Sequence, residues 1–285
     1  MAKRLDLKDV NIYYGSFLAV SEVSMAVPPR SVTAFIGPSG CGKSTFLRLV
    51  AGLDKPTSGE IMVSGRKVTG PGADRGMVFQ EYALLPWKTT AANIEFGPRL
   101  KGLPKAERAA IAQRFVELVG LKGFENKYPH QLSGGMRQRA MIAMALICSP
   151  ALLIADEPTT ALDVTIQAQI LDLLLDLQRQ RGMALILITH DMGVVAETVD
   201  RVVVQYAGQQ AEAQGVTGLF ADPMHPYTAA LLAALPERSR GRLLPTIAGV
   251  VPGVLDRPRG CLFGPRCAQA TEHCRAVRPA FGTGP

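Results

Sequence analysis

The sequence has no long hydrophobic run. None of its apolar stretches approaches the roughly 20 residues that a membrane-spanning helix requires. The first ten residues, MAKRLDLKDV, also lack the apolar stretch of a signal peptide. We therefore expect a cytoplasmic protein that reaches a membrane only through a partner.

Charged and aromatic residues are scarce as well. They make up 19% and 6% of the 285 residues, against 47% hydrophobic residues, which excludes a disordered chain and suffices for a core of more than one layer. The net charge of +7 is uneven, because residues 236–285 contain eight arginines and only three acids. Such a tail can attract anionic lipid or nucleic acid, but a solvated surface is the simpler interpretation, and we expect no nucleic-acid partner.

Glycine is concentrated in two short segments, of which the first is GPSGCGKS at residues 37–44. This segment matches the phosphate-binding pattern GxxxxGK[ST], and it lies between a predicted strand and a predicted helix, as the pattern requires. Gly37, Gly40 and Gly42 allow backbone conformations in which N–H groups converge on phosphate oxygens. The segment therefore predicts a nucleotide-binding loop, without distinguishing among the many classes of protein that have one.

The side chains of this loop predict how a nucleotide is held. Lys43 offers a positive charge to the β- and γ-phosphates, and the hydroxyl of Ser44 is a ligand for Mg²⁺. Thr45 offers its hydroxyl to phosphate, and Ser39 is also expected to bind the nucleotide. ATP and Mg²⁺ are accordingly the expected ligands.

Two adjacent carboxylates follow a second apolar strand in the segment ALLIADEPTTALD, residues 151–163. Asp156 is expected to hold Mg²⁺ through its water shell, and Glu157 to polarise the attacking water as a general base. His190 follows a third apolar strand and is placed to contact the γ-phosphate. The alternatives are a strand end with solvated acids and a histidine with a purely structural role.

The second glycine-rich segment, LSGGMRQR at residues 132–139, precedes a predicted helix. With this segment in place, the chain resembles the ATP-binding subunits of ABC transporters, specifically those of bacterial importers. On that resemblance the motifs are the Walker A loop at residues 37–44, the Q-loop Gln80, the signature residues Ser133, Gly134, Gly135 and Gln138, the Walker B pair Asp156 and Glu157, the D-loop Asp163 and the switch His190.

The resemblance implies an α/β fold: a P-loop NTPase domain of the ABC type, with an antiparallel β subdomain, a helical subdomain and an irregular C-terminal tail. We expect the ATP-binding domain at residues 1–235, with the helical subdomain at about 88–147, and a basic cysteine-containing tail at 236–285. It also implies that Tyr14 stacks on adenine, although the neighbouring Tyr13 is equally aromatic. Gln80 and His190 would sense the γ-phosphate, and Gln80 would also approach Mg²⁺.

The resemblance implies several partners. The signature residues would contact ATP bound by a second ATP-binding subunit, in a homodimer or a heterodimer. Integral membrane permease subunits would dock on the loop EYALLPWK, in which Trp87 either faces the permease or packs into the helical subdomain. The chain would then lie peripherally at the cytoplasmic face of the inner membrane, connected only indirectly to a periplasmic or extracellular solute-binding protein.

Different stretches resemble different importers. Residues 1–45 resemble phosphate importers, residues 46–140 resemble nitrate, sulfonate and taurine importers, and residues 140–285 resemble dipeptide and oligopeptide importers. We expect a peptide solute, with nitrate, sulfonate or taurine import as the alternative. A soluble ABC ATPase without a transport role is a further alternative. An exporter half is disfavoured, because such chains usually carry their own membrane helices.

The tail contains Cys261, Cys267 and Cys274 in the spacing Cx5Cx6C. It resembles the C-terminal segment of peptide-importer ATPases, some of which carry an iron–sulfur cluster on four cysteines. An iron–sulfur or zinc site on these three cysteines is one hypothesis, and free thiols are the other, because the sequence supplies no fourth cysteine here and His273 abuts Cys274.

Overall fold

The computed structural model describes residues 4–15, 17–160, 162–235, 246–253 and 256–279. Within those ranges the strands are β1 (Leu5–Tyr14), β2 (Phe17–Val27), β3 (Val32–Ile36), β4 (Ser58–Val63), β5 (Arg66–Lys67), β6 (Arg75–Val78), β7 (Leu152–Asp156), β8 (Ala184–Ile188), β9 (Arg201–Tyr206) and β10 (Gln209–Gly215). They form one sheet in the order β5-β4-β1-β2-β10-β9-β3-β8-β7-β6.

The helices of the same ranges are α1 (Lys43–Ala51), α2 (Thr90–Ile94), α3 (Phe96–Leu100), α4 (Lys105–Leu118), α5 (Gly134–Leu146), α6 (Val164–Arg181), α7 (Met192–Thr198), α8 (Val216–Ala221), α9 (Pro226–Ala233) and α10 (Glu272–Ala276). Helix α5 begins inside the second glycine-rich segment, at Gly134, because Ser133 caps it.

Five strands, β9, β3, β8, β7 and β6, pair in parallel. Strands β3 and β8 are buried along their whole length, as expected for parallel strands that are covered on both faces. The carboxyl ends of parallel strands meet at one edge of a sheet. The Walker A loop, Gln80, Asp156 and His190 all lie at or just beyond such ends, so the topology gathers these distant motifs along one edge.

The remaining strands are largely antiparallel. Strands β1 and β2 form a hairpin, and β4 and β5 extend its outer side. The antiparallel β subdomain that the resemblance implies is present, and it includes two strands within residues 58–67 that the sequence analysis did not assign. On its inner side, β2 joins β10 and thereby the parallel strands.

Helices α2 to α5 form the predicted helical subdomain. Ile94 of α2, Val116 of α4 and Ile142 of α5 are fully buried in the same hydrophobic cluster. Helix α6 was not assigned from the sequence. Its Ile170 and Leu174 are also buried in this cluster, so α6 helps to connect the helical subdomain with the sheet.

The described part of the tail packs on the core. Leu262 and Phe263 are buried, and the Phe263 ring lies 5.3 Å from the Tyr206 ring at the end of β9. It lies 5.4 Å from the Tyr227 ring of α9. The described part of the tail is mainly irregular, and within it α10 and a short 3-10 turn are regular.

Two glycines of the antiparallel sheet allow a test of its register. Gly59 and Gly65 both have left-handed backbone angles, with φ of +85° and +76°. A β-carbon at Gly59 would lie 2.3 Å from the carbonyl oxygen of Asp9, where the β1–β4 register shifts, whereas one at Gly65 would contact nothing.

We expect Gly59→Ala to lower the free energy of unfolding by about 3 kcal/mol and Gly65→Ala by only about 1 kcal/mol, because the second change adds backbone strain without a clash. Thermal denaturation of the nucleotide-free protein measures both effects. Equal losses would contradict the close approach of β4 to β1.

Candidate active site

The Walker A loop follows β3 and leads into α1. A β-carbon at Gly37 would lie 2.3 Å from the Gln205 carbonyl oxygen and 2.7 Å from Cys41 Sγ, so this position accepts only glycine. Gly42, with φ of +99°, is the N-cap of α1 and provides no side-chain cap. The amides of the first turn of α1 are therefore left for an anion, and the helix dipole favours a negative charge there.

Lys43 lies across this loop. Its ammonium donates to the carbonyl oxygens of Gly37 at 2.7 Å and Pro38 at 3.0 Å. Cys41 is buried beside it, and burial raises the pKa of the Cys41 thiol, which keeps the thiol protonated and unreactive. The positive charge is thus held within the loop, where phosphates would lie.

The turn between β9 and β10 is hydrogen-bonded to the Walker A loop. Gly208 donates its N–H to the carbonyl oxygen of Cys41 at 2.9 Å and accepts a hydrogen bond from the N–H of Ser21, also at 2.9 Å. A β-carbon at Gly208 would lie 2.3 Å from the carbonyl oxygen of Ala19. The sequence predicts a turn here, but it gives no sign that the turn contacts the phosphate loop.

Asp156 ends β7 at the same edge of the sheet. Burial and the adjacent Glu157 raise the pKa of its carboxyl group, while the nearby Lys43 lowers it. A carboxylate that is destabilised in this way gains from a bound cation. Asp156 and Ser44 therefore fit the role of Mg²⁺ ligands at the phosphate loop.

Glu157 has an unusual backbone conformation, with φ of +45°. Its N–H donates to the carbonyl oxygen of Ile188 on the neighbouring strand at 3.1 Å. The Gln80 amide and the Thr160 hydroxyl each donate to its Oε2 at 3.0 Å. Backbone strain of this kind persists where the surroundings enforce it, and it is frequent at functional sites.

His190 lies on the other side of Glu157. Its Nδ1 is 3.7 Å from Glu157 Oε1, and its side chain is 76% exposed. The next residue, Asp191, caps α7 by accepting from the N–H groups of Gly193 and Val194. The structure thus brings the three candidate residues Gln80, Glu157 and His190 together, and it adds Thr160, to which the sequence analysis gave no role.

The comparisons with known proteins agree with this geometry. A family model described as ABC transporter matches residues 20–160, and one described as oligopeptide/dipeptide transporter, C-terminal region, matches residues 211–274. The dipeptide transport ATP-binding protein DppD of Haemophilus influenzae is 46% identical over 96% of this chain and 91% of its own length. The chain belongs to the ATP-binding subunits of ABC transporters.

Other relatives extend the same picture. DppD of Escherichia coli is 42% identical over 97% of this chain and 92% of its own length. A probable peptide ABC transporter ATP-binding protein of Sinorhizobium fredii is 45% identical over 97% and 90%. The similarity to peptide-importer subunits therefore extends over the N-terminal half as well. The resemblance of residues 1–140 to other branches of importers stays a prediction.

Solved structures support the fold and the activity of this ABC ATPase. A dimeric ATP-binding cassette in a post-hydrolysis state, bound to ADP and Pi, superposes with a TM-score of 0.67 and 31% identity, covering 74% of this chain and 98% of that one. A subunit of the ABC transporter complex cbiONQ from Clostridium perfringens gives 0.70 and 28%, covering 76% and 90%. Among the described helices, none has the length and apolarity needed to cross a membrane.

The ABC signature residues begin α5. The hydroxyl of the exposed Ser133 accepts from the N–H of Met136 at 3.3 Å and so caps the helix. β-Carbons on Gly134 and Gly135 would lie 3.0 Å from the Tyr82 hydroxyl and 2.7 Å from Ile166 Cγ2. Glycine at these positions therefore lets α5 pack closely on the Q-loop segment and on α6.

Two further predicted residues differ in their exposure. Gln138 is only 3% exposed, so direct contact with a nucleotide would require it to leave the interior, and it is the least supported of the signature residues. Asp163 is exposed at the N-cap of α6 and makes no side-chain capping bond. Its carboxylate is thus available at the surface.

Tyr14 is distinguished from Tyr13 by its neighbours. Both rings are about half exposed, but the Tyr14 hydroxyl donates to Asp54 at 2.9 Å, and Asp54 accepts two hydrogen bonds from Arg48 of α1. Partial burial, together with the bond to Asp54, raises the pKa of Tyr14, whereas a hydrogen bond with Thr45 lowers it. Tyr14 is therefore fixed beside the Walker A helix, with its ring accessible for stacking.

The described part of the tail bears on the two hypotheses for its cysteines, a metal site and free thiols. Across the described ranges, no group of three or more histidine, cysteine, aspartate or glutamate side chains is arranged to hold a metal ion. The Thr271 hydroxyl bonds Cys274 Sγ at 3.3 Å, and these bonds lower the pKa of Cys274. Among the described residues, the three cysteines therefore do not provide the four converging donors that an iron–sulfur cluster or zinc requires.

The raised pKa of Asp156 predicts how the stability of the nucleotide-free protein depends on pH. Because the pKa of Asp156 is raised by folding, its ionised form costs stability at pH 7, and this cost disappears as the pH falls through the folded pKa. We expect Asp156→Asn to raise the melting temperature at pH 7, with a gain that shrinks toward pH 4.

The exposed Asp163→Asn is the matched control, and its melting temperature should follow the wild type at every pH. A lower melting temperature for Asp156→Asn than for the wild type at pH 7 would show that Asp156 is not destabilised in the folded protein.

Proposed function

We propose that this chain is the ATP-hydrolysing subunit of a peptide importer. The observation that carries the proposal is the convergence of Gln80, Thr160 and His190 on Glu157, beside a phosphate loop. The solute class is supported by relatives whose names state dipeptide or peptide transport. It is also supported by the oligopeptide/dipeptide family model, which covers β10 and much of the tail.

ATP would bind along the carboxyl edge of the parallel strands. Lys43 and the amides of the Walker A loop, including those near Ser39 and Thr45, would hold the phosphates, and Tyr14 would stack on the base. Ser44 and Asp156 would hold Mg²⁺, with Gln80 nearby, and the ion would neutralise charge on the β- and γ-phosphates.

Glu157 would accept a proton from the attacking water. The water oxygen then forms a bond to the γ-phosphorus as the bond to the bridging β–γ oxygen breaks, which yields ADP and inorganic phosphate. Thr160 would orient the carboxylate by its hydrogen bond to Oε2. Gln80 and His190 touch the same carboxylate from two sides, so both are placed to respond to the γ-phosphate.

A second ATP-binding subunit, identical or different, would complete the site. Ser133, Gly134 and Gly135 expose the N-terminus of α5, which favours an anion such as the γ-phosphate bound by the other subunit. The exposed Asp163 would lie in the same interface. ATP would hold the two subunits together, and hydrolysis would release them, which provides the movement that drives transport.

The permease would dock on the loop around Trp87, whose ring is 71% exposed and does not pack into the helical subdomain. Asn93 is fully buried and binds this loop through its amide, accepting from the N–H of Leu85 and donating to the carbonyl oxygens of Leu85, Lys88 and Thr89. This arrangement preforms an apolar contact surface. The subunit would then lie at the cytoplasmic face of the inner membrane, in a complex that receives solute from a binding protein outside.

Glu157→Gln tests the hydrolytic mechanism. We expect it to retain ATP binding but to reduce turnover at least about a hundredfold, because the amide cannot take the proton from water. The variant should also accumulate as an ATP-bound dimer in size-exclusion chromatography. Lys43→Ala is the control that loses binding itself, and undiminished turnover in Glu157→Gln would refute the assignment of the base.

Trp87→Ala tests the docking surface. We expect unchanged basal hydrolysis, but at least about tenfold weaker stimulation by a peptide-type permease pair in liposomes, because an exposed aromatic anchor is lost. Met224→Ala, which removes another exposed apolar side chain from a different segment, is the control. Stimulation of the wild type by a nitrate- or sulfonate-type pair, and not by the peptide pair, would overturn the proposed solute class.

A further inference from the structure

Arg257 of the tail reaches a region far away in sequence. Its Nη1 donates to the carbonyl oxygen of Leu18, and its guanidinium lies 5.1 Å from the centre of the Phe17 ring. A β-carbon at Gly208 would lie 2.8 Å from Arg257 Nη2. One side chain of the tail therefore contacts both the start of β2 and the turn between β9 and β10.

These two contacts belong to the framework of the nucleotide site. Phe17 pairs with Tyr14 across the hairpin, and the Gly208 N–H binds the carbonyl oxygen of Cys41 in the Walker A loop. A β-carbon at Gly42 would lie 3.4 Å from the Ala19 carbonyl oxygen. Arg257 is thus connected through Phe17 to the tyrosine that would stack on adenine. It is connected through Gly208 to the loop that would hold the phosphates.

The charge of Arg257 is not balanced by a carboxylate. Within the described ranges it takes part in no ion pair, and its buried Nε has no hydrogen-bond partner. Burial and the neighbouring Arg278 lower the pKa of Arg257, yet an arginine remains charged at any physiological pH. The charge of Arg257 is met instead by the carbonyl oxygen of Leu18 and by the face of the Phe17 ring, so these two contacts hold the guanidinium against the start of β2.

The tail has separate attachments that hold it in place. Arg266 joins two parts of the tail by donating to the carbonyl oxygens of Ala248 at 2.8 Å and Ile247 at 2.9 Å, and it binds the core through the Tyr206 hydroxyl at 3.1 Å. Together with the buried Leu262 and Phe263, these contacts dock the tail without Arg257. The contacts of Arg257 can therefore serve the nucleotide site.

We propose that Arg257 is a positioning residue through which the C-terminal tail supports the adenine-stacking Tyr14 and the Walker A loop of the ATP site. The inference rests on the proposed nucleotide site. Arg257 would hold the start of β2 and the Gly208 turn against the Walker A loop. By linkage, bound ATP would in turn stabilise the docked tail.

Steady-state kinetics of Arg257→Ala, Arg257→Lys and Arg259→Ala test the proposal. For Arg257→Ala we expect the KM for ATP to rise about tenfold, the loss typical of a bond from a charged donor, with kcat changed less than about twofold. Arg257→Lys should recover part of the affinity. Arg259 is exposed two residues further along the same segment, so Arg259→Ala should match the wild type.

A merely structural role would give a different pattern, with a lower melting temperature and a lower kcat but an unchanged KM, and that pattern would overturn the proposal. Hydrogen–deuterium exchange of the wild type adds a test that needs no variant. ATP with Mg²⁺ should slow exchange in residues 256–279, and equal exchange with and without ATP would refute the coupling. If the wild type binds ATP no better than Lys43→Ala, the nucleotide site itself is wrongly assigned.

Discussion

The parallel pairing of β3 with β8, and of β8 with β7, is the constraint on which the ATP site depends. In this register Phe35 lies opposite Ile188, and Ile188 lies opposite Asp156. The phosphate loop, the acidic pair and His190 therefore leave the sheet at the same level, although Ser44 and Asp156 lie 112 positions apart in the chain and Glu157 and His190 lie 33 apart. A slip of one residue would turn each side chain to the opposite face and would separate Asp156 from Lys43.

This arrangement costs stability at the residues that would perform the chemistry. The left-handed backbone of Glu157 and the partly buried carboxylate of Asp156 are both unfavourable in the folded protein. The neighbouring strands offset the cost, because β3 and β8 are buried along their whole length. A rigid apolar sheet thus holds in place two acidic residues that would be more stable elsewhere.

The sequence predicts the parts of the site that are encoded in short segments. The Walker A glycines, the acidic pair and His190 each follow an apolar strand, and the order of the strands places them together. The contacts that the sequence did not predict join distant segments through backbone groups. Examples are the bond from Gly208 to Cys41 and the bond from Arg257 to Leu18, which carry no signature in residue type or spacing.

The cysteines of the tail show what spacing does not determine. Their spacing left both a shared metal and free thiols open, because spacing along an irregular segment does not fix where three sulfurs lie, and in the structure Cys274 is engaged by Thr271. Thr160 was overlooked for a related reason. A threonine in a loop has no distinguishing pattern until its hydroxyl is seen to bond the carboxylate of Glu157.

The four hydrogen bonds of the buried Asn93 have a mechanical consequence. They fix the segment from Leu85 to Thr89 to α2, and the same segment is joined through Tyr82 to α5 and through Gln80 to Glu157. A permease docked at Trp87, as proposed, would therefore act on a segment that is hydrogen-bonded to α2 and linked to the Glu157 carboxylate. Movement at the docking surface and changes at Glu157 would then be coupled in both directions.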